Sequence, residues 1–212
     1  MKIMTWPLEK FLKEAAGPSP TPGGGSAAAY SGALAAAMLS MAAQLTTEKD
    51  TDAKDLHKVE DIVREATVCL QRLKEGVQRD IAVFDAFMET LRLPHTTDAE
   101  KQDRGGKLRL AYFDATESPL SIAENALRVI ELACDLAPIC NRNVVSDVGV
   151  AAALAHGTFC AALWSVEINL VSMKQDKDYV SQVRAKCRGW RDTADKRNAE
   201  AASLVSMRLI KT

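Results

Sequence analysis

Residues 20–45 read PTPGGGSAAAYSGALAAAMLSMAAQL, and this stretch decides the fold. From Ala27 to Leu45 it contains no charged residue and is dominated by alanine, with glycine, serine, leucine, methionine, one tyrosine and one glutamine filling the rest. Alanine is the strongest helix former, and a helix apolar on nearly every side has to be surrounded by other helices. Ala28, Gly32 and Ala36 recur every four residues, so a neighbouring backbone can approach closely along that face. Ahead of the helix, Pro20 and Pro22 stiffen an extended run. Gly23, Gly24 and Gly25 allow positive φ and a close approach of backbone N–H groups to a ligand, and Ser26 is suited to cap the helix. A glycine-rich loop feeding a helix N-terminus is a ready anion site. The alternative is a tight turn with close helix packing. The spacing is neither GxGxxG nor GxxxxGKS/T, which excludes the common nucleotide loops.

Outward from this helix the chain reads as helix almost throughout. Trp6 to Ala15 forms a short first helix with Thr5 as its cap. Asp52 to Leu93 is a long periodic segment stopped by Pro94, with Gly76 as a point of bending. Thr97-Asp98-Ala99-Glu100 is a capping box, and Gly105-Gly106 should interrupt the helix it opens. Ser118-Pro119 then begins another helix, running to about Cys140 with Pro138 disturbing its last turn. Asn141-Arg142-Asn143 is a loop, and Ser146 opens a second alanine-rich, nearly uncharged helix that reaches Met173. Tyr179 to about Leu209 is the last helix, with Arg184, Lys186, Arg188, Arg191, Lys196 and Arg197 on a solvated face. The expectation is an all-α, single-domain bundle over 1–212, with Ala27–Leu45 and Gly149–Met173 at its centre. Two central helices ask for more burial than a chain this size offers alone, so a homodimer is expected.

Bulk properties narrow the function. A formal net charge of −1 over 212 residues gives no field for nucleic acid. The five cysteines form no CxxC pair and read as reduced thiols in a cytoplasmic protein. The three histidines form no HxxxH or HExxH spacing, so no metal is expected. The opening MKIMTWPLEK lacks the apolar core of a signal peptide. Ala27–Leu45 is long enough to attract a membrane-span reading, but its alanine, glycine and serine make it weakly apolar and suited to burial among helices; no membrane is expected.

Three blocks carry a resemblance. PTPGGGSAAAYSGALAAAMLSMAAQLT, RDIAVFDAFMETLRLP from Arg79 to Pro94, and NRNVVSDVGVAAALAHG from Asn141 to Gly157 occur in one order and span most of the chain. Together they resemble the formiminotetrahydrofolate cyclodeaminase / methenyltetrahydrofolate cyclohydrolase family. The resemblance implies a helical dimer with folate sites at or near the subunit contact, a tetrahydrofolate derivative as substrate and no cofactor. In one family reaction water opens the methenyl bridge to give the formyl form; in the other a formimino group cyclises and ammonia leaves. Each passes through a tetrahedral carbon and needs a proton acceptor, a proton donor to the leaving nitrogen and negative potential near a cation. The expected activity is hydrolysis of 5,10-methenyltetrahydrofolate to 10-formyltetrahydrofolate. The alternatives are formiminotetrahydrofolate cyclodeaminase and, in another class, a catalytically degenerate helical folate-binding or scaffold protein.

The resemblance also selects residues. Asp147, in the first turn of the second alanine-rich helix, is the first candidate carboxylate; unaided, Ser146-Asp147 would read as capping. Asp80 is the second, and Lys49 a candidate proton donor or glutamate-steering group. Substrate binding is expected from Pro22, Gly23, Gly24, Gly25 and Ser26, and from the amides of Asn141 and Asn143. The chain departs from the family pattern at Glu48, Asp52, His95 and Cys140. Glu131 and Asp135 share a helix face but lack metal-site partners and read as solvated; His156 reads as a satisfied core histidine, and Phe159 and Trp164 as core.

Overall fold

The computed structural model describes residues 3–210, so residues 1–2 and 211–212 of the expected domain and of the opening MKIMTWPLEK lie outside the described residues. Among them there are six α-helices and no strand: α1 (Leu8–Ala15), α2 (Gly24–Gln44), α3 (Ala53–Leu91), α4 (Asp98–Leu136), α5 (Val145–Ser172) and α6 (Lys177–Ile210). Short 3₁₀ turns at Ile3–Thr5 and Arg142–Val144 precede α1 and α5. Helices α2 to α5 pack as a four-membered bundle, α2 on α3 and α5, α4 on α3 and α5, while α6 lies across the outside of α4 and α5. The all-α, single-domain expectation holds.

Several local expectations change. α4 runs unbroken through Gly105-Gly106 and through Pro119. Proline has no N–H, so the carbonyl of Ala115 loses its helical partner. Asn169 of α5 supplies one: its Nδ2 donates to the Ala115 carbonyl at 2.6 Å. That long-range replacement is why Ser118-Pro119 lies inside a helix instead of starting one. At the start of α2 the N-cap is Gly23, with extended backbone, and Ser26 is already inside the first turn. No glycine among the described residues has positive φ, so the glycine run serves approach and not left-handed geometry. The α1 helix begins at Leu8 behind Pro7 instead of at Trp6. Cys140 sits buried without positive φ, which explains how a side chain is accommodated there.

The close-packed face of α2 is real. Ala28, Gly32 and Ala36 are buried. A Cβ on Gly32 would lie 2.8 Å from the Thr158 methyl and 3.1 Å from Leu73, so that glycine is required by α5 and α3 of the same chain. α5 differs from the expectation of burial on all sides. Val150, Leu154, Gly157, Ala161, Trp164, Ile168 and Val171 advance by alternate steps of four and three, the spacing of a coiled-coil seam. Most of that stripe is exposed: Trp164, expected in the core, is 74% exposed and Ile168 68% exposed. Ala27, Ser31, Leu34, Met38, Met41 and Leu45 repeat the spacing along the α2 face left open by the bundle, Leu34 and Leu45 being exposed. Phe159 is fully buried, as expected. Both α2 and α5 are long and apolar enough to cross a membrane by length and composition, but 61% of the apolar window of α2 is already buried by its own chain.

Candidate active site

The candidate residues gather at the two ends of α2. At its N-terminal end Asp80, about three turns before the end of α3, points at the first turn of α2. The Ser26 hydroxyl donates to Asp80 Oδ2 at 2.6 Å, and the Ser26 backbone N–H also bonds the carboxylate. Burial pushes the Asp80 carboxyl above the usual aspartate range, and the two Ser26 hydrogen bonds oppose that shift. Gly25 makes the approach possible. A Cβ there would lie 2.7 Å from Asp80 Cγ and closer still to Oδ1. The anion site expected of the glycine loop is therefore filled from within the chain, by a carboxylate 54 residues away. Gly24 is different: nothing lies within 4 Å of where its Cβ would be, and it is exposed. Pro22 is buried, follows a cis peptide bond, and leads into Gly23.

The other end is built around Asn141. Its backbone N–H donates to Thr46 Oγ1 at 2.9 Å, its Nδ2 to the Leu45 carbonyl at 3.2 Å, and its Oδ1 accepts from the Asn143 N–H at 2.8 Å. Thr46 is itself tied to the Ala42 carbonyl at 2.9 Å. Both polar ends of the Asn141 amide are thus committed to joining the end of α2 to the start of α5. The Asn143 side chain is exposed. Asp147 follows in the first turn of α5, half-buried, with no side-chain hydrogen bond or ion pair to another described residue. Its position places the carboxylate at the positive end of the helix dipole. Lys49 lies exposed in the turn that follows Thr46, with no carboxylate within salt-bridge distance among the described residues.

A rise of about 1.5 Å per residue puts the two ends of α2 about 30 Å apart. One chain therefore brings Asp80 to Pro22–Ser26, and Lys49, Asn141 and Asn143 to the neighbourhood of Asp147, but does not bring the two groups together. The remaining candidates resolve into structural roles. His95 is exposed beside the Leu93 carbonyl. His156 is half-buried against Asp195 at 2.7 Å rather than in the core. Glu131 and Asp135 are ion-paired with Arg128 and Arg197, and no group of three metal-ligating side chains occurs among the described residues. On α6, Arg184 pairs with Glu167 and Arg197 also with Glu200. Concave surface lies elsewhere: a groove of about 250 Å³ between α5 and α6 beside Trp164, and a cleft of about 640 Å³ between α3, α4 and α6. None of Pro22–Ser26, Lys49, Asp80, Asn141, Asn143 and Asp147 lines either. Sequence reading missed the Ser26–Asp80 pair, the Thr46–Asn141 tie and the exposed α5 stripe. The first two join residues far apart in sequence and leave no local signal; the stripe's spacing was visible.

Comparison with known proteins adds the family. Residues 7–189 match the family described as Formiminotransferase-cyclodeaminase. The chain is 36% identical over 162 residues, 76% of its length and 78% of the relative's, to a protein of Methylorubrum extorquens named methenyltetrahydrofolate cyclohydrolase. It is 33% identical over 171 residues to the Mus musculus formimidoyltransferase-cyclodeaminase, covering 80% of this chain but only 31% of that longer protein. The crystal structure of formiminotetrahydrofolate cyclodeaminase from Thermotoga maritima superposes with a TM-score of 0.87 over 98% of this chain and 99% of that one, at 22% identity, and shares the fold.

Proposed function

The chain belongs to the formiminotransferase-cyclodeaminase family, and from that premise we propose that it hydrolyses 5,10-methenyltetrahydrofolate to 10-formyltetrahydrofolate. The observation that carries this choice is the match to a protein named for that reaction over 78% of that protein's length. Water adds to the amidinium carbon, Asp147 accepts the proton it loses, and a tetrahedral carbinol forms. The bond from that carbon to N5 then breaks. Asp80, whose burial favours the protonated form, lends a proton to N5 and recovers one as the hydroxyl becomes a formyl oxygen. The net release is one proton, as hydrolysis of a cation to a neutral amide requires. Lys49 and Asn143, both exposed, are assigned to the substrate's carboxylate and ring amide in this reading.

These roles call for a second copy of the chain. Two carboxylates about 30 Å apart cannot act on one carbon. A two-fold axis perpendicular to α2 sets the Asp80 end of one protomer beside the Asp147 end of its partner. The seam-spaced apolar stripes on α2 and α5 run the length between those ends and suit an isologous contact. The proposed enzyme is therefore a homodimer with composite sites. Trp164→Glu should convert a particle of twice 23.0 kDa to monomer in sedimentation and abolish turnover with it. An active monomer would refute the composite site.

Ammonia release from the formimino substrate is the second reading, favoured by the similarity to cyclodeaminases of mammals. Purified protein mixed separately with methenyl- and formimino-tetrahydrofolate separates the two. Loss of the methenyl absorbance faster than ammonia appears supports hydrolysis; the reverse order supports the deaminase; binding without either turnover supports a degenerate folate-binding protein.

A further inference from the structure

We propose that Gly25 and Ser26 are positioning residues that hold the Asp80 carboxyl group in one orientation against the start of α2, and that neither touches substrate. The inference rests on the reading above that Asp80 transfers a proton.

The geometry is specific. Ser26 is fully buried, so its hydroxyl is not available to a ligand, and its one side-chain partner is Asp80 Oδ2 at 2.6 Å. Gly25 is also buried, and the space a side chain would take there is occupied by the carboxyl group itself. The two residues act on different oxygens. Ser26 engages Oδ2, while Oδ1 is the atom that lies over Gly25. One contact fixes the rotamer by attraction and the other by leaving a slot.

The surroundings contain few competing charges. From α2 the groups that face Asp80 are the Ser26 hydroxyl and N–H, and α2 carries no charged residue between Gly24 and Gln44. On α3 the neighbouring Arg79 and Asp85 are exposed and make no bond to it, and Gln78 is taken by the Ile3 N–H at 3.1 Å. The loop that precedes α2, residues 16–23, carries no charged residue. Burial, one hydroxyl and one N–H therefore set the proton affinity of Asp80, with no ion pair among the described residues involved.

Adjacent substitutions should consequently move Asp80 in opposite directions. Ser26→Ala deletes a donor to the ionised form, so the carboxyl should titrate at still higher pH. Gly25→Ala fills the slot, drives the carboxyl out toward water and should return it toward the ordinary aspartate range. The experiment is a ¹³C NMR titration of protein labelled at aspartate side chains, with Asp80 assigned through Asp80→Asn, alongside steady-state kinetics on methenyltetrahydrofolate. Expected are opposed shifts of the Asp80 titration and, in both variants, kcat reduced on the order of tenfold to a hundredfold with little change in KM. Should Gly25→Ala fail to fold, Ser26→Ala removes only one oxygen and retains the test. An unmoved Asp80 titration in Ser26→Ala, or a raised KM at unchanged kcat, overturns the proposal. The titration is read without turnover, so failure of the hydrolase assignment would be seen separately.

Discussion

The two ends of α2 hold carboxylates in opposite physical situations. At the N-terminal end Asp80 is desolvated, bonded by Ser26 and seated in a slot left by Gly25. At the C-terminal end Asp147 stands half-buried in the first turn of α5, and the structural hydrogen bonds around it are made by Asn141 and Thr46 instead. The first site is finished by its own chain, whereas the second has its frame built and its functional group left open. A carboxyl group that burial has desolvated is set up to hold a proton, against the pull of the donors that bond it. One with free lone pairs is set up to accept one, or to face a cation. On the proposed reading the difference supplies two acid–base partners, and neither carboxylate is ion-paired among the described residues.

The largest expected effect tests whether these ends cooperate. Asp147→Asn keeps the shape and helix-start position but removes the charge, and turnover should fall roughly a hundredfold or more. Asp80→Asn should do the same by a different route, since it can accept from Ser26 but cannot transfer a proton. Mixing the two inactive proteins after subunit exchange should restore about a quarter of the parent activity, because half the dimers are mixed and each of those has one intact site. A mixture as inactive as its parts would show that Asp80 and Asp147 do not meet across the two-fold.

The next effect lies midway between the ends. Gly32→Leu forces a branched side chain where a Cβ alone would stand 2.8 Å from Thr158. It should cost about 1–3 kcal/mol or more, read as a lower denaturant midpoint. A variant as stable as the parent would mean that α2 and α5 can separate, and would remove the rigid spacer that fixes the distance between the carboxylates. Gly24 gives the contrasting case. Its Cβ would meet no atom of its own chain, so Gly24→Val should fold normally and weaken folate binding about tenfold, as loss of a close backbone approach would. Normal binding by calorimetry would leave the glycine run with the single role of receiving Asp80.

Much of this was legible in the sequence. The uncharged alanine run fixed the central position of α2, and the four-residue recurrence at Ala28, Gly32 and Ala36 fixed its close face, because helix periodicity acts locally. Pro119 misled for the complementary reason: the group that repairs the helix is Asn169, 50 positions along, and no window of sequence contains both. Ser26 was legible as a polar residue at a helix start but not as Asp80's partner, since caps and distant carboxylates use the same hydroxyl. Trp164 was read as core from composition, although its spacing with Ile168 and Val171 marks a seam. Seven-residue periodicity says that a face is covered; it does not say by which chain.

The smallest effect sharpens the comparison through stability. In the folded chain Asp80 holds its proton to higher pH than an unfolded aspartate does, chiefly because of burial. The folded state therefore binds more protons than the unfolded state between the ordinary aspartate pKa and the raised one, and stability must fall as pH rises through that window. Above it the buried charge is a constant cost. Asp80→Asn removes the titration while leaving an amide oxygen for Ser26 to bond. At pH 7 the variant should melt above the parent, and the gap should close once pH drops below the ordinary aspartate range near 4. If Asp80→Asn instead melts lower at neutral pH, the attraction of the helix start for the ionised carboxylate outweighs its burial. Asp80 would then be chiefly a stabilising charge at a helix start, and the contrast between the two ends would be lost.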